Sequence, residues 1–107
     1  MELHQKKCIP CESGGNSLSI DDVKKNLEIV PGWELEGKSI EREFVFKDFK
    51  EAMKFVNTVA DIAEEEGHHP DFHIHWNKVR LQLWTHSMNG LSENDFILAS
   101  KISHLKI

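Results

Sequence analysis

Histidines are concentrated in one short stretch of this chain. Five of its seven histidines lie between residues 68 and 86, and they include the run His68-His69-Pro70. An imidazole changes its charge near neutral pH, so a cluster of imidazoles offers acid and base forms together or a set of nitrogen ligands. The stretch therefore predicts either proton-transfer chemistry or metal binding.

A β-hairpin is expected between the two ends of this cluster. Residues 72–76 alternate apolar and polar side chains, residues 79–84 do the same, and Asn77-Lys78 supplies a two-residue turn. Positions 69 and 86 lie at the open end of such a hairpin, since each is eight residues from the turn. The two ends of the cluster are therefore predicted to meet.

Only part of the cluster is predicted to share a site. His68 and His69 follow the end of a helical pattern and His86 ends a strand, so the hairpin brings these three imidazoles together. His73 and His75 alternate with apolar residues, which places them on an exposed or partner-facing strand surface. The candidate catalytic residues are therefore the first three.

A metal site is the main alternative use of the cluster. Cys8 and Cys11 form a Cys-x-x-Cys in a polar amino-terminal segment and could add two thiolates. However, the chain has no His-Glu-x-x-His motif and no second Cys-x-x-Cys. Adjacent histidines such as His68 and His69 also rarely bind one ion, because their side chains diverge. The sequence favours a site without metal, and a histidine-rich metal-binding domain stays as an alternative.

The pattern around the cluster predicts an α+β domain. Ser19, Asp48 and Ser92 are candidate caps at helix starts, and Gly67 ends the long helix. The order α-β-β-α-β-β-α predicts a four-stranded antiparallel sheet with helices packed on one face. The predicted elements are a helix over residues 19–29, strands over 33–35 and 40–46, a helix over 49–66, strands over 72–76 and 79–84, and a helix over 93–105.

Composition limits the chain to one ordinary domain. Its 107 residues are 39% hydrophobic, which is enough for a single core. Residues 1–18 are predicted to be a flexible amino-terminal tail, and residues 19–107 the domain. A net charge of −5 argues against direct nucleic-acid binding. The start resembles no signal peptide and no stretch could span a membrane, so a cytoplasmic protein is expected.

The last predicted helix is apolar over a wide arc. One sheet face is not expected to bury the whole arc, so it indicates either a deeply buried terminal helix or an oligomer interface. Both readings stay open at this point. The apolar residues are Phe96, Ile97, Leu98, Ala99, Ile102 and Leu105.

Several motifs around the histidines match one known family. They are Glu64-x-x-x-His68-His69-Pro70, Trp76-Asn77-Lys78-Val79, Thr85-His86 and Gly90-Leu91-Ser92-Glu93-x-Asp95. With Pro31-Gly32-Trp33 they span about residues 18–105, and over this length the chain resembles the pterin-4a-carbinolamine dehydratase family. The main departures are Gly67, which stands where a bulkier residue is common in the family, and the tail that bears Cys8 and Cys11.

The resemblance implies an α+β enzyme that assembles as a dimer or tetramer and needs neither metal nor cofactor. It would eliminate water from a 4a-hydroxytetrahydropterin to give quinonoid dihydropterin, which recycles the cofactor of an aromatic amino acid hydroxylase. The chain has no glycine-rich nucleotide loop, in agreement with a reaction without a redox cofactor. Some relatives stabilise the dimer of a homeodomain transcription factor, so a non-catalytic binding module is the alternative.

The resemblance also implies roles for single residues. His68 and His86 would be the acid and base groups on the leaving hydroxyl and the ring nitrogen, and His69 would orient the pterin. Glu64 would orient an imidazole or bind the pterin edge. The other candidates are Trp33, which either packs near the ring or is a buried structural residue, and Asp95, whose position at the start of the last helix favours capping and support of the pocket.

Overall fold

Three helices and a four-stranded antiparallel sheet make up the domain. A computed structural model describes residues 3–8 and 18–105. The elements are α1 (Ile20–Ile29), β1 (Glu34–Glu36), β2 (Ser39–Val45), α2 (Phe49–Glu66), β3 (Asp71–His75), β4 (Lys78–Leu83) and α3 (Glu93–Ser103), with single 3-10 turns at Leu3–Gln5 and His86–Met88. The strand order across the sheet is β1-β2-β4-β3. The predicted α+β class and order of elements are confirmed.

The helix ends lie where the sequence signals place them. Ser19 is the N-cap of α1, and the Asp48 carboxylate accepts a 2.9 Å hydrogen bond from the Glu51 amide at the start of α2. Gly67 has a φ of +67°, a left-handed conformation that ends α2 without the strain a side chain would add. Because the helix ends at a fixed residue, the direction of the chain into His68 is also fixed.

The third helix is buried within the domain. Its apolar residues join one core cluster with the sheet, while α1, α2 and the turn at Leu3–Gln5 also contact it. Phe96, Leu98 and Ile102 are fully buried. The wide apolar arc is thus covered inside one chain, and reading it as an oligomer interface is wrong. A charge placed at Leu98 or Ile102 would disrupt the core of the monomer itself.

The turn between β3 and β4 differs from the predicted one. His75 pairs with Lys78, so the turn residues are Trp76 and Asn77 rather than Asn77-Lys78. The reason is a pair of hydrogen bonds to the end of β2. Asn77 Nδ2 donates to the Phe46 carbonyl at 2.9 Å, and the Phe46 amide donates to the Asn77 carbonyl at 2.8 Å. The shift moves the strand pairing by two residues, which leaves each side chain on its predicted face.

The apolar side chains at the hairpin tip are more exposed than the alternating pattern suggests. The alternation over residues 72–76 predicts that Ile74 and Trp76 face the core, but Trp76 is 65% exposed and Ile74 is 37% exposed. β3 is an edge strand of the sheet, so its tip extends beyond the helices that cover the centre. Phe72, nearer the open end of the hairpin, still packs against the core.

Residues 3–8 of the amino-terminal segment lie against the domain. Residues 3–8 of the predicted tail contact α3, and the His4 and His104 rings stack with their centroids 3.8 Å apart. The sequence did not predict this contact. Residues 1–2, 9–17 and 106–107 lie outside the described part of the chain, and so does the Cys8/Cys11 pair as a pair.

Candidate active site

His68 forms a hydrogen bond with a buried carboxyl group. Its Nε2 lies 2.6 Å from Oδ1 of Asp95, where Asp95 is the third residue of α3. The His68 side chain is 11% exposed, whereas the Asp95 side chain is fully buried. Residues from the end of one helix and the start of another are thus joined inside the protein.

The carboxyl group of Asp95 is held from its second oxygen as well. Oδ2 accepts a 2.8 Å bond from the Thr85 hydroxyl and a 2.9 Å bond from the Ser92 amide. The Thr85 and Ser92 hydroxyl oxygens lie 2.7 Å apart. Three donors therefore surround one carboxyl group at the start of a helix, where the helix dipole also favours negative charge.

This arrangement determines which nitrogen of His68 is available for chemistry. An ionised carboxylate can only accept hydrogen bonds, so Nε2 is the nitrogen that carries a proton, and a neutral His68 ring then has its lone pair on Nδ1. The buried carboxylate would also stabilise the positive charge that appears when Nδ1 takes up a proton. His68 and Asp95 therefore form a pair suited to general base catalysis.

His86 directly follows Thr85, one of the residues that bind the Asp95 carboxyl group. Thr85 pairs with Gly90 through backbone hydrogen bonds, so His86 begins a short loop directly after the residue that binds Asp95. The His86 ring is exposed and lies against the Trp84 ring, with centroids 3.9 Å apart. An exposed imidazole on a rigid aromatic ring can exchange protons with water while keeping its orientation.

His69 is paired with the acid of its own motif. Its Nε2 lies 2.5 Å from Oε2 of Glu64, which is five residues earlier in the last turn of α2. Both side chains are exposed, at 57% and 77%, so the pair contributes little to stability. Its carboxylate and imidazole remain accessible to a ligand, as the predicted roles of these two residues require.

Comparisons with known proteins identify the family. The profile of the family described as pterin 4 alpha carbinolamine dehydratase matches residues 16–105. A protein of Alkaliphilus metalliredigens that bears the same family name is 45% identical over 102 residues, which cover 94% of this chain and 92% of that protein. This chain belongs to the pterin-4a-carbinolamine dehydratase family. The predicted resemblance is therefore confirmed.

Two further relatives of this dehydratase family add information. A mitochondrial pterin-4-alpha-carbinolamine dehydratase of Arabidopsis thaliana is 41% identical, over 99% of this chain and 60% of that protein. The crystal structure of a transcriptional coactivator/pterin dehydratase from Brucella melitensis has a TM-score of 0.77 and 37% identity, and it covers 81% of this chain and 95% of that one. These members are named as dehydratases, a class of hydro-lyases.

The structure does not bring every candidate residue of the family motifs to this cluster. Trp33 is buried in the core, where its Nε1 donates a 3.0 Å bond to the Ser103 hydroxyl. Ser103 is the last residue of α3 and Asp95 is near its start, about 12 Å away at 1.5 Å of rise per residue. Trp33 therefore lies at the opposite end of α3 from the His68–Asp95 pair.

We expect the Trp33→Phe variant to lose stability and to keep its activity. Removing the indole N–H breaks the bond to Ser103, which is worth about 0.5–1.5 kcal/mol. Thermal unfolding measures the first effect and the rate of pterin dehydration the second. A rate loss of more than about tenfold, with the fold intact, would show that Trp33 reaches the substrate after all.

His73 and His75, the other two histidines of the stretch, lie on the face of the sheet that points away from the helices. His73 pairs with Arg80 in the strand register, and its Nε2 lies 3.3 Å from Oε1 of Gln82. His75 is exposed near the hairpin tip. These positions make the two residues suitable controls for the three at the open end of the hairpin.

Thr85 is a residue of the candidate site to which the sequence analysis assigned no role. It stands in the Thr85-His86 motif, but only the fold shows that its buried hydroxyl binds Asp95. The useful signal was its position two residues after the end of β4, together with the Ser92-x-x-Asp95 spacing. Two separate motifs of the family thus meet at one carboxyl group.

Metal ligands do not converge in the described residues. Within residues 3–8 and 18–105, no group of three or more histidine, cysteine or acidic side chains could hold an ion. In the same residues, no helix is both long and apolar enough to cross a membrane.

Proposed function

We propose that this protein eliminates water from a 4a-hydroxytetrahydropterin and releases quinonoid dihydropterin. The observation that carries the proposal is the buried His68–Asp95 hydrogen bond at the open end of the hairpin. Family membership and the two neighbouring exposed imidazoles support it. The physiological role would be to recycle the pterin cofactor of an aromatic amino acid hydroxylase.

The elimination needs one proton removed and one proton supplied. The ring nitrogen next to carbon 4a loses its proton, the freed electron pair forms a double bond to that carbon, and the carbon–oxygen bond breaks. The leaving hydroxyl takes up a proton and departs as water. Each positioned proton transfer contributes about 10²–10⁴-fold to the rate.

The two proton transfers are assigned to His68 and His86. His68 accepts the ring proton on Nδ1, because Asp95 holds the opposite nitrogen and stabilises the charged ring. His86 donates to the leaving hydroxyl, because its exposed ring is readily protonated again from water. Neither step uses a metal or a redox cofactor.

The remaining candidates bind or support the substrate. The exposed His69–Glu64 pair orients the pterin, since together it offers a donor and an acceptor to the polar ring edge. Asp95 acts through His68 and does not contact the substrate, because it is fully buried. The predicted contact of Trp33 with the pterin ring is not proposed further, because Trp33 lies in the core.

Activity should survive removal of metal. Purified protein treated with a strong chelator is expected to dehydrate a 4a-hydroxytetrahydropterin, made in situ by a hydroxylase, at the untreated rate. The spontaneous reaction must be subtracted. Loss of activity on chelation with recovery on adding zinc would contradict the proposal and support the histidine-rich metal-binding alternative.

We also propose assembly into a dimer or tetramer. β1 and β3 are edge strands of the sheet, and large apolar side chains such as Val45, Phe49 and Trp76 are about half or more exposed. Light scattering at micromolar concentration should give a mass of at least two chains. A monodisperse monomer would contradict this.

A binding function is the second candidate. The Brucella melitensis relative is named as a transcriptional coactivator as well as a pterin dehydratase. In that case a surface away from the histidines would bind a protein partner, such as a dimeric transcription factor. The His68→Gln variant separates the two functions, since it should lose dehydration and keep partner binding.

The cytoplasmic location stays a prediction, because the Arabidopsis relative is named as mitochondrial.

A further inference from the structure

A buried ion pair near the site has no part in the proposed reaction. Oε2 of Glu66, the last residue of α2, lies 3.7 Å from Nζ of Lys101 on α3. The side chains are only 4% and 18% exposed. Removing charges from water is costly unless further hydrogen bonds compensate, so such a pair requires additional partners.

The additional partners come from the amino-terminal segment. The Cys8 amide donates a 2.8 Å hydrogen bond to Oε1 of Glu66, and Nζ of Lys101 donates a 2.9 Å bond to the His4 carbonyl. Residues 3–8 are therefore bound at two points to the ion pair. We call these six residues the amino-terminal strap.

The strap also contacts the start of α3, where the site carboxylate lies. Lys6 Nζ lies 3.4 Å from Oε2 of Glu93, and the Cys8 Sγ lies 3.6 Å from the Asn94 carbonyl. Asn94 directly precedes Asp95 in the chain. The strap thus contacts the backbone next to the residue that holds the catalytic imidazole.

We propose that Glu66 is a positioning residue, which uses the strap and Lys101 to hold the His68–Asp95 pair at its catalytic distance. Glu66 lies two residues before His68, and the strap lies against the two residues before Asp95. Glu66, Lys101 and the strap therefore connect the backbone before His68 to the backbone before Asp95, and these two segments must keep their relative position. This connection extends beyond residues 16–105, which the family profile matches. The proposal rests on the proposed dehydration.

Glu66→Gln is the variant that tests this role. The amide oxygen still accepts from the Cys8 amide, but the charge opposite Lys101 is lost. We expect kcat for dehydration to fall about 10-fold with KM nearly unchanged, because a misplacement of 1 Å can cost roughly 100-fold. Glu65→Gln is the matched control, since Glu65 also faces the strap, through Lys7, but both side chains are more than 70% exposed and such a surface pair contributes little.

A spectroscopic measurement separates positioning from simple stability. The proton between His68 Nε2 and Asp95 should give a downfield proton NMR signal that disappears in His68→Ala. The spectra are recorded at temperatures well below the thermal midpoint, where the variants are folded. In Glu66→Gln and in Lys101→Met the chemical shift of this signal should change, and the double variant should show a change no larger than the larger of the two single changes. Glu65→Gln should leave it in place.

The outcomes are distinct. An unchanged signal and unchanged kcat in Glu66→Gln, with or without a lower thermal midpoint, would overturn the positioning role. A wild-type protein without dehydratase activity would refute the proposed function instead. The shift of the signal would then still show whether Glu66 holds the pair.

Discussion

We expect the His68→Gln variant to lose about 10²–10⁴-fold in kcat for dehydration, the range that one positioned acid or base contributes. A glutamine amide can still donate a hydrogen bond to Asp95, but it cannot accept a proton at neutral pH. The change therefore removes the base and keeps its buried partner satisfied. Steady-state kinetics after subtraction of the spontaneous rate measures the effect.

Alanine is the less informative replacement at this position. It would leave Oδ1 of the buried Asp95 without a donor, which costs about 1–3 kcal/mol of folding free energy. A polar residue of an accessible site usually contributes little to core burial, so its replacement by alanine is expected to leave the thermal midpoint nearly unchanged. The hydrogen bond to a fully buried carboxyl group changes that expectation, because His68 supports the fold as well as the reaction.

His73→Gln is the control for this experiment. Its side chain lies on the sheet face opposite the helices, where its Nε2 is 3.3 Å from Oε1 of Gln82. Its rate should stay within about threefold of the wild type, well under 1 kcal/mol of barrier. An equal loss in both variants would mean that the histidines act through overall charge or folding. Combining His68→Gln with His86→Gln should give a less than multiplicative loss if both groups serve one elimination.

The sequence could predict the elements because each has a local signal. Asp48 with Glu51, Gly67, and Ser92 with Asp95 mark helix ends by chemistry that acts within a few residues. The turn was misplaced by one residue because its position depends on Asn77 bonding to Phe46, which is 31 residues away. A contact of that range leaves no local pattern.

The hairpin argument predicts that His68 and His86 lie at one end of the hairpin, but it does not predict which residues connect them. In the structure His68 bonds to Asp95, and Asp95 bonds to Thr85, the residue before His86. The predicted turn is off by one residue, which moves the strand pairing by two residues and so leaves each side chain on its predicted face. Of the two roles left open for Trp33, the structure shows the buried structural one, which a motif does not decide because it gives the neighbours in sequence and not the side of the core on which a residue packs.

The exposure of the β3–β4 hairpin tip and the burial of α3 both depend on how many neighbouring elements cover each one. Sequence periodicity shows which face of an element is apolar, but how much of that face is covered depends on the neighbours. α3 is covered by two helices, the sheet and the strap, whereas β3 at the sheet edge has little cover near Trp76. Burial is thus a property of the assembled layers.

Asp95→Asn should cost about as much rate as the loss of His68 itself. Three donors face the two carboxyl oxygens of Asp95: His68 Nε2, the Thr85 hydroxyl and the Ser92 amide. An asparagine has one oxygen and one NH₂ group, so its NH₂ must face at least one of them. The Thr85 hydroxyl can rotate to accept, but the Ser92 amide always donates.

The least costly arrangement turns the NH₂ group toward His68, which must then carry its proton on Nδ1. That is the nitrogen assigned to accept the substrate's proton, so the base is lost although every side chain stays in place. The equivalent change in a serine protease triad costs about 10⁴-fold in kcat for the same reason. We expect a loss of about 10²–10⁴-fold here, together with a loss of about 1–3 kcal/mol in stability from the weakened buried bonds. Nitrogen NMR of the imidazole should show the changed tautomer, and the exposed Asp61→Asn variant should show neither effect. A fully active Asp95→Asn protein with His68 protonated on Nε2 would refute the role of this pair in the reaction.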